Sequence, residues 1–205
     1  MRVSNYIITS FLVVTIGMTL GLFIDDKNHE NSDEHFSQST EYALPEFSVV
    51  VAENKANFTI HQHEVCGWVV SSNNGEALIE DWYRIDGDTL YVHSTPSSHR
   101  FILNVSNPEF IVAREESTVY IWKMDDPGIS RFSIEAFDHS SIYLRNIKAS
   151  SLSIGLNLSK ANIYSEIQID TLQASLLDNA SLSIVGKSIQ KLAIEKDSSS
   201  VYRVY

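Results

Sequence analysis

The residues best suited by type to chemistry stand close together at His61-Gln62-His63-Glu64 and Cys66. Two histidines two apart share one face of a strand, and imidazole, carboxylate and thiolate all ligate transition metals. The same stretch also reads as a polar turn between strands, where these side chains are solvated. Asp125-Asp126-Pro127-Gly128 offers two carboxylates to calcium but lacks the regularly spaced oxygen donors of a calcium loop. Asp86 and Asp88 flank Gly87 and read as turn formers. A polysaccharide-cleaving enzyme needs a converging pair of acids. Asp138, Asp178 and Asp197 are roughly stacked, but they fall at turn corners, where like charges splay into water. Trp68, Trp82 and Trp122 could stack on sugars, yet each lies in a strand-like run and reads as core. No Ser-His-Asp order, phosphate-cradling glycine loop or nucleotide fingerprint is present. No catalytic, cofactor-binding or metal-ligating residue is assigned on these grounds.

These residues need a scaffold, and the stretch from Phe132 onward supplies its pattern. Phe132-Ser-Ile134, Leu152-Ser-Ile154, Leu172-Gln-Ala174 and Leu192-Ala-Ile194 place two apolar side chains two apart, every 20 residues. Between them lie Ile142-Tyr-Leu144, Ile163-Tyr164, Leu182-Ser-Ile184 and Val201-Tyr-Arg-Val204. Alternation at period two makes each piece a strand, and a fixed period of this length means stacked supersecondary units. The expected fold is all-β, a right-handed parallel β-solenoid with coils of about 20 residues stacked about 4.8 Å apart. Asp138-His-Ser-Ser, Asn157-Leu-Ser-Lys, Asp178-Asn-Ala-Ser and Asp197-Ser-Ser-Ser mark the corners. Their Asx side chains bond nearby backbone and tolerate positive φ. The second corner comes one residue early, so Asn162 falls where an aliphatic is expected, and this reads as a bulge. Upstream, Phe110-Ile-Val112 and Val119-Tyr-Ile121 extend the ladder. Phe110 is matched there to Phe132 and Val119 to Ile142, by steps slightly longer than the later ones. The outward columns are mainly Ser, Asn and Lys, which reads as a solvated surface.

Tyr6 to Ile24 is a charge-free, mostly apolar run. As a helix it is about 28 Å long, close to the thickness of a bilayer core. No small-x-small cleavage site follows, so residues 1–24 read as an uncleaved signal-anchor, a transmembrane helix. Arg2 precedes the run and Asp25-Asp26 follow it, which directs the carboxyl-terminal part out of the cytoplasm. Gly17 and Gly21 form a GxxxG pattern, a route to a weak homodimer. Residues 25–45 carry net −5 of the chain's −11 and few aliphatics, and read as an acidic flexible tether. Residues 46–205 form the expected domain, with strands from Phe47-Ser-Val-Val-Val51 and Ala56-Asn-Phe-Thr-Ile60 onward. The stretch from Ala77 to Ile85 is ambiguous between a strand and a helical turn. The net charge argues against nucleic acid, which binds basic stripes. A lone cysteine, Cys66, excludes an intrachain disulfide.

In chain order, the segments NFTIHQHEVCGWVV, GDTLYVHS, FILNV, ASSLSIGLNLSKANIY and NASLSIVG carry a family resemblance. From about Phe47 to Tyr205 the chain resembles the bacterial family named "putative auto-transporter adhesin, head GIN domain". The resemblance implies a parallel β-solenoid at the bacterial surface and transfers no active site. His61-Gln62-His63-Glu64 stands where that family tends to have a short Gly-Asp turn.

The expected function is that of a non-catalytic, membrane-tethered extracytoplasmic module that binds an unknown protein or polysaccharide. Its expected place is the bacterial cell membrane, single-pass through Tyr6 to Ile24, with the domain periplasmic or at the cell surface. No cofactor is expected. The alternative is a solenoid-type carbohydrate-active enzyme acting on a polysaccharide.

Overall fold

The computed structural model describes residues 38–72, 81–124, 131–164, 167–185 and 189–205. The expected membrane span, most of the expected tether and the turn at 125–128 lie outside them. Among the described residues no helix is long and apolar enough to cross a membrane.

The ladder from Arg131 onward follows from its alternation. Arg131–Ala136 (β10) pairs in parallel with the second half of Ser141–Asn157 (β11). That half pairs with Gln168–Leu177 (β13), and β13 with Ile189–Lys196 (β15). Phe132, Leu152, Leu172 and Leu192 share one register line, and Ile134, Ile154, Ala174 and Ile194 share the next. This is sheet B. Sheet A contains the first half of β11, then Lys160–Ile163 (β12), Ser181–Ile184 (β14) and Val201–Val204 (β16), again in parallel. β11 passes from one sheet to the other at Asn146, whose φ of 56° makes the bend. The result is about four solenoid-like turns. Leu144, Leu152, Ile154, Leu172 and Leu182 meet between the sheets, each at most 1% exposed. Burying such a side chain contributes roughly 1.5–3 kcal/mol.

The corners explain the irregular spacing. Asp138-His139 and Asp178-Asn179 take positive φ at both residues, and a buried Ser140 or Ala180 follows. Asn54-Lys55-Ala56 and Glu115-Glu116-Ser117 repeat this corner upstream. The early corner has one positive-φ residue, Leu158, before the buried Ser159. The residue is therefore missing from the corner, and the strand stays regular. Ala161 stands in register between Ile142 and Leu182, while Asn162 stands between Tyr143 and Ser183. The bulge expected at Asn162 is thus corrected to a shortened corner with Ala161 in the inward place. A bulge would have broken ladder hydrogen bonds, whereas a shorter turn keeps every side chain on its face.

Phe110–Ala113 (β8) and Thr118–Met124 (β9) extend the two sheets. Ser133 pairs with Phe110 and Ser141 with Thr118, so the step from β8 to β10 equals the step from β9 to β11. The expected match of Phe110 with Phe132 is one residue off, because Ile111 and Ala113 are the fully buried positions. Val49–Glu53 (β2) and Asn57–Gln62 (β3) stack in parallel on β8 and β9. Thr89–His93 (β6) and His99–Val105 (β7) stack on the other side of β2 and β3. The chain therefore lays its second coil outside its first, then returns to build the rest on the opposite side.

Antiparallel strands finish that outer end. Tyr83–Asp86 (β5) pairs with β6, and Gly67–Ser72 (β4) pairs with β7. Gln38–Ala43 (β1) then pairs with β4. β1 lies inside the stretch read as a tether and ahead of the boundary expected at residue 46, so the folded part begins no later than Gln38. Its composition conceals it because an edge strand is held by backbone pairing. Gly67 permits that approach: a Cβ there would lie 2.6 Å from the Tyr42 carbonyl oxygen.

Candidate functional site

Alternation sends every second residue of sheet A outward, and parallel registry lines those residues into columns. One column runs Thr59, Tyr120, Tyr143, Asn162, Ser183 and Arg203. The next runs Asn104, His61, Trp122 and Arg145, and Tyr164 follows on the adjoining coil. A third runs Asn57, Thr118, Ser141, Lys160 and Ser181, with Arg100 beside it on β7. The Tyr120 and Tyr143 rings stack at 4.9 Å and 13°, and Tyr143 and Tyr164 at 6.2 Å and 9°. His61 stacks on Trp122 at 6.3 Å and 18°. The expectation of outward columns made mainly of Ser, Asn and Lys is corrected here: an aromatic ladder crosses the middle of sheet A. Its rings face one another, so edges and hydroxyls point to solvent, and Tyr164 is 42% exposed.

The electrostatics of this face run against the whole chain. From β7 to β16, Arg100, Arg145, Lys160 and Arg203 stand in the three columns with no carboxylate among them, while the first column continues through Ile102 of β7 and Val69 of β4 to the exposed Glu41 of β1. Among the described residues, none of these four cations is in an ion pair. Burial holds the His61 imidazole below its ordinary pKa, with Lys123 and Arg100 adding to the shift. His61 Nε2 and Asn146 Oδ1 are buried polar atoms without a hydrogen-bond partner among the described residues. Burial, with Tyr143 and Tyr164 alongside, pushes the Tyr120 phenol up, which keeps it a hydrogen-bond donor.

Sheet B differs. Its outer face carries an open groove of about 460 Å³ lined by Asn107, Glu109, Arg131, Phe132, Ser133, Ser151 and Ser153. Three hydroxyls, an amide and two opposite charges share the groove with Phe132, and among the described residues no ring stack stands in it. Nearer the finished end, the Glu53 carboxylate is 8% exposed between two partners, His93 in β6 and Arg114 just past β8. His93 Nδ1 lies 2.8 Å from it, and the Arg114 guanidinium binds it through Nε, at 3.0 Å, and Nη2. The hydrogen bond to Glu53 raises the Arg114 pKa. Arg84 lies 3.9 Å above the Tyr91 ring. These contacts satisfy one another, which makes the cluster a clamp between β2, β6 and β8.

The residues singled out by sequence scatter. His61 is on the sheet A face, whereas His63 is exposed and its Nδ1 accepts the Val65 N–H at 3.3 Å. Glu64 is exposed, and Cys66 is buried with Sγ 3.5 Å from Ser106 Oγ. Among the described residues no three His, Cys, Asp or Glu side chains converge on a point that could hold a metal. Asp88 does more than form a turn, since its carboxylate accepts the Ser48 N–H at 2.9 Å and the Ser48 hydroxyl. Asp138 and Asp178 stand exposed at corners, as expected. Asp197 caps its own corner and accepts the Asp178 N–H at 2.7 Å, which links two coils. Trp68 is core, packed edge-on to Phe58 at 5.6 Å, and Trp82 packs edge-on to Phe101 at 5.0 Å. Trp122 alone of the three lies on the candidate face. Sequence reading passes over Tyr120, Tyr143 and Tyr164, although Val119-Tyr-Ile121, Ile142-Tyr-Leu144 and Ile163-Tyr164 repeat a tyrosine beside inward aliphatics. It also passes over Glu53, His93 and Arg114, whose meeting has no local signature.

One solved structure shares this fold. A protein named "putative adhesin" from Bacteroides fragilis overlays with a TM-score of 0.53 at 9% identity, covering 82% of this chain and 96% of its own. At that identity the likeness is one of fold. A "putative adhesin" from Parabacteroides merdae overlays with a TM-score of 0.41 at 13% identity, covering 82% and 95%. A "putative lipid binding protein" from Parabacteroides distasonis gives 0.40 at 11%, covering 82% and 96%. These two overlays are too loose to add to the first. No family model matches the chain, and no curated protein does.

Proposed function

We propose that this protein is a non-catalytic, adhesin-like binding module of head GIN type, a right-handed solenoid tethered to the bacterial membrane through Tyr6 to Ile24. One observation carries the reading: the stacked Tyr120, Tyr143 and Tyr164 and the neighbouring Trp122 on the outer face of sheet A. A rigid parallel sheet with aromatic and polar side chains in fixed columns offers many weak contacts to an extended ligand. The ligand is a protein or a polysaccharide, and the domain lies outside the cytoplasm. The name of the Bacteroides fragilis structure agrees with the adhesin-like reading. The test is binding of the full chain, in detergent, to bacterial cells and to immobilised glycans, alongside polysaccharide turnover. Binding without turnover that weakens in Tyr143→Ser, with the melting transition kept, supports the module. Turnover by the pure protein overturns the non-catalytic reading in favour of the solenoid-type enzyme. Digestion of the domain by protease added to spheroplasts tests its location, and protection overturns it.

A further inference from the structure

We infer that the outer face of sheet A takes an anionic polysaccharide, a chain of carboxylated or sulfated sugars, and this rests on the binding reading above. The chain carries −11 overall, yet from β7 to β16 the three columns of this face hold four cations and no carboxylate, and the acid in their extension, Glu41, stands two strands further out on β1. A sequence that lines this face from β7 to β16 with Arg100, Arg145, Lys160 and Arg203 and no acid builds a local field there opposite in sign to its net charge. The cations are not clustered. They stand on the first, fourth, fifth and seventh strands of the parallel stack, counted from β7 to β16. At about 4.8 Å per strand they span roughly 29 Å along the stack. That spacing suits a polymer with charge repeated along its length and leaves a small anion few simultaneous contacts.

Between the cations stand groups that recognise sugars. Tyr120, Tyr143 and Tyr164 present ring edges and hydroxyl donors, and Trp122 is half-buried beside them. Asn162, Ser183 and Thr118 add short donors and acceptors in the same columns. His61 Nε2 lies in this face, buried and without a partner among the described residues. Such an atom costs free energy unless a ligand or water satisfies it. Nucleic acid fits less well, because bases stack on open ring faces, whereas the Tyr120, Tyr143 and Tyr164 rings face one another. A bilayer surface also fits less well. The rings are locked face to face, and among the described residues the aromatic ladder itself carries no aliphatic side chain to enter lipid.

The test is affinity electrophoresis and surface binding of the full chain in neutral detergent at low and high salt. The probes are polygalacturonate, dextran sulfate, neutral dextran, single-stranded DNA and phosphatidylglycerol vesicles. The inference expects retention by polygalacturonate or dextran sulfate, none by dextran, and loss of retention as salt rises. The double variant Arg145→Glu, Lys160→Glu should weaken that binding on the order of tenfold or more, through the reversed field. Lys191→Glu on sheet B changes charge in the same direction and should leave binding within about twofold. Urea midpoints of the variants should match the parent, since Arg145, Lys160 and Lys191 are exposed. Equal binding to dextran, or equal weakening by Lys191→Glu, overturns the anionic-ligand inference and leaves the binding module standing. DNA or vesicles bound as tightly, with the same dependence on Arg145 and Lys160, overturn the polysaccharide. No binding to any probe or to cells overturns both readings.

Discussion

Leu172 and Leu192 occupy the same column of sheet B, one coil apart, and their surroundings are opposite. Leu172 is fully buried between Leu152 and Leu192, whereas Leu192 is 43% exposed. The contrast extends to the two ends of the stack. At one end β5, β4 and β1 lie antiparallel against the outermost coil and cover it. At the other, among the described residues, β15 and β16 pair on one side only, and Val201, Tyr202 and Val204 are each close to half exposed. In a stacked architecture a residue's worth depends on its neighbours above and below more than on its own type.

The largest test of that contrast is Leu172→Asp. It loses the burial of a leucine, roughly 1.5–3 kcal/mol, and desolvates a carboxylate among aliphatics, so the cost should exceed about 4 kcal/mol. Urea denaturation gives the number, and hydrogen exchange should show β15 and β16 loosened with it. A cost under about 2 kcal/mol would mean that the coils do not bury this column. The covered end is tested next by Gly67→Ala. Its methyl group would meet the Tyr42 carbonyl oxygen at 2.6 Å, which forces β1 away from β4. A loss of about 1–3 kcal/mol is expected, with protease sensitivity appearing around residues 38–43. An unchanged melt with β1 still protected would show that the cap does not need the close approach.

The open end should be far more forgiving. Leu192→Asp places its charge where water already reaches, so about 1 kcal/mol or less is expected, similar to Gln173→Asp at an outward position. If Leu192→Asp costs as much as Leu172→Asp, a further element covers that end. Acid gives the smallest effect and separates the ends by pH. His61, near the covered end, has a folded pKa below its ordinary 6.5 because burial disfavours the imidazolium. Its contribution is complete above 6.5 and is lost as pH falls below that value, since only the unfolded chain then takes up the proton. Asp197, at the open end, has its pKa lowered from 3.8 by hydrogen bonds from Ser200, Asp178 and Ser199. Its contribution is present above 3.8 and is lost only below it. His61→Gln should remove part of the decline between about pH 6.5 and 5, and Asp197→Asn should not. A parent curve flat over that interval would contradict the depressed imidazole.

How much of this is legible in the sequence varies by residue. The column through Leu152, Leu172 and Leu192, the outward Gln173 and the corners at Asp138 and Asp178 can be read directly from the regular repeat. Phe110 is misplaced by one, because alternation leaves two adjacent frames for a short apolar strand and only registry with Ile134 chooses between them. β1 escapes notice because a strand held by backbone hydrogen bonds to an edge has no aliphatic signature.

From Phe132 onward the sequence by itself determined the strands, their inward faces and the positions of the turns, since period-two alternation and Asx corners are properties of neighbouring residues. Tertiary structure decided which coils touch. β2 pairs with β8 on one side and β6 on the other, at two different and long sequence separations that no fixed period predicts. That order alone brings Glu53 to Arg114 and His93 on sheet B, and His61 to Trp122 on sheet A. The physical reason is that inward positions are dictated by burial within each strand, whereas outward columns exist only once distant coils have been stacked in register.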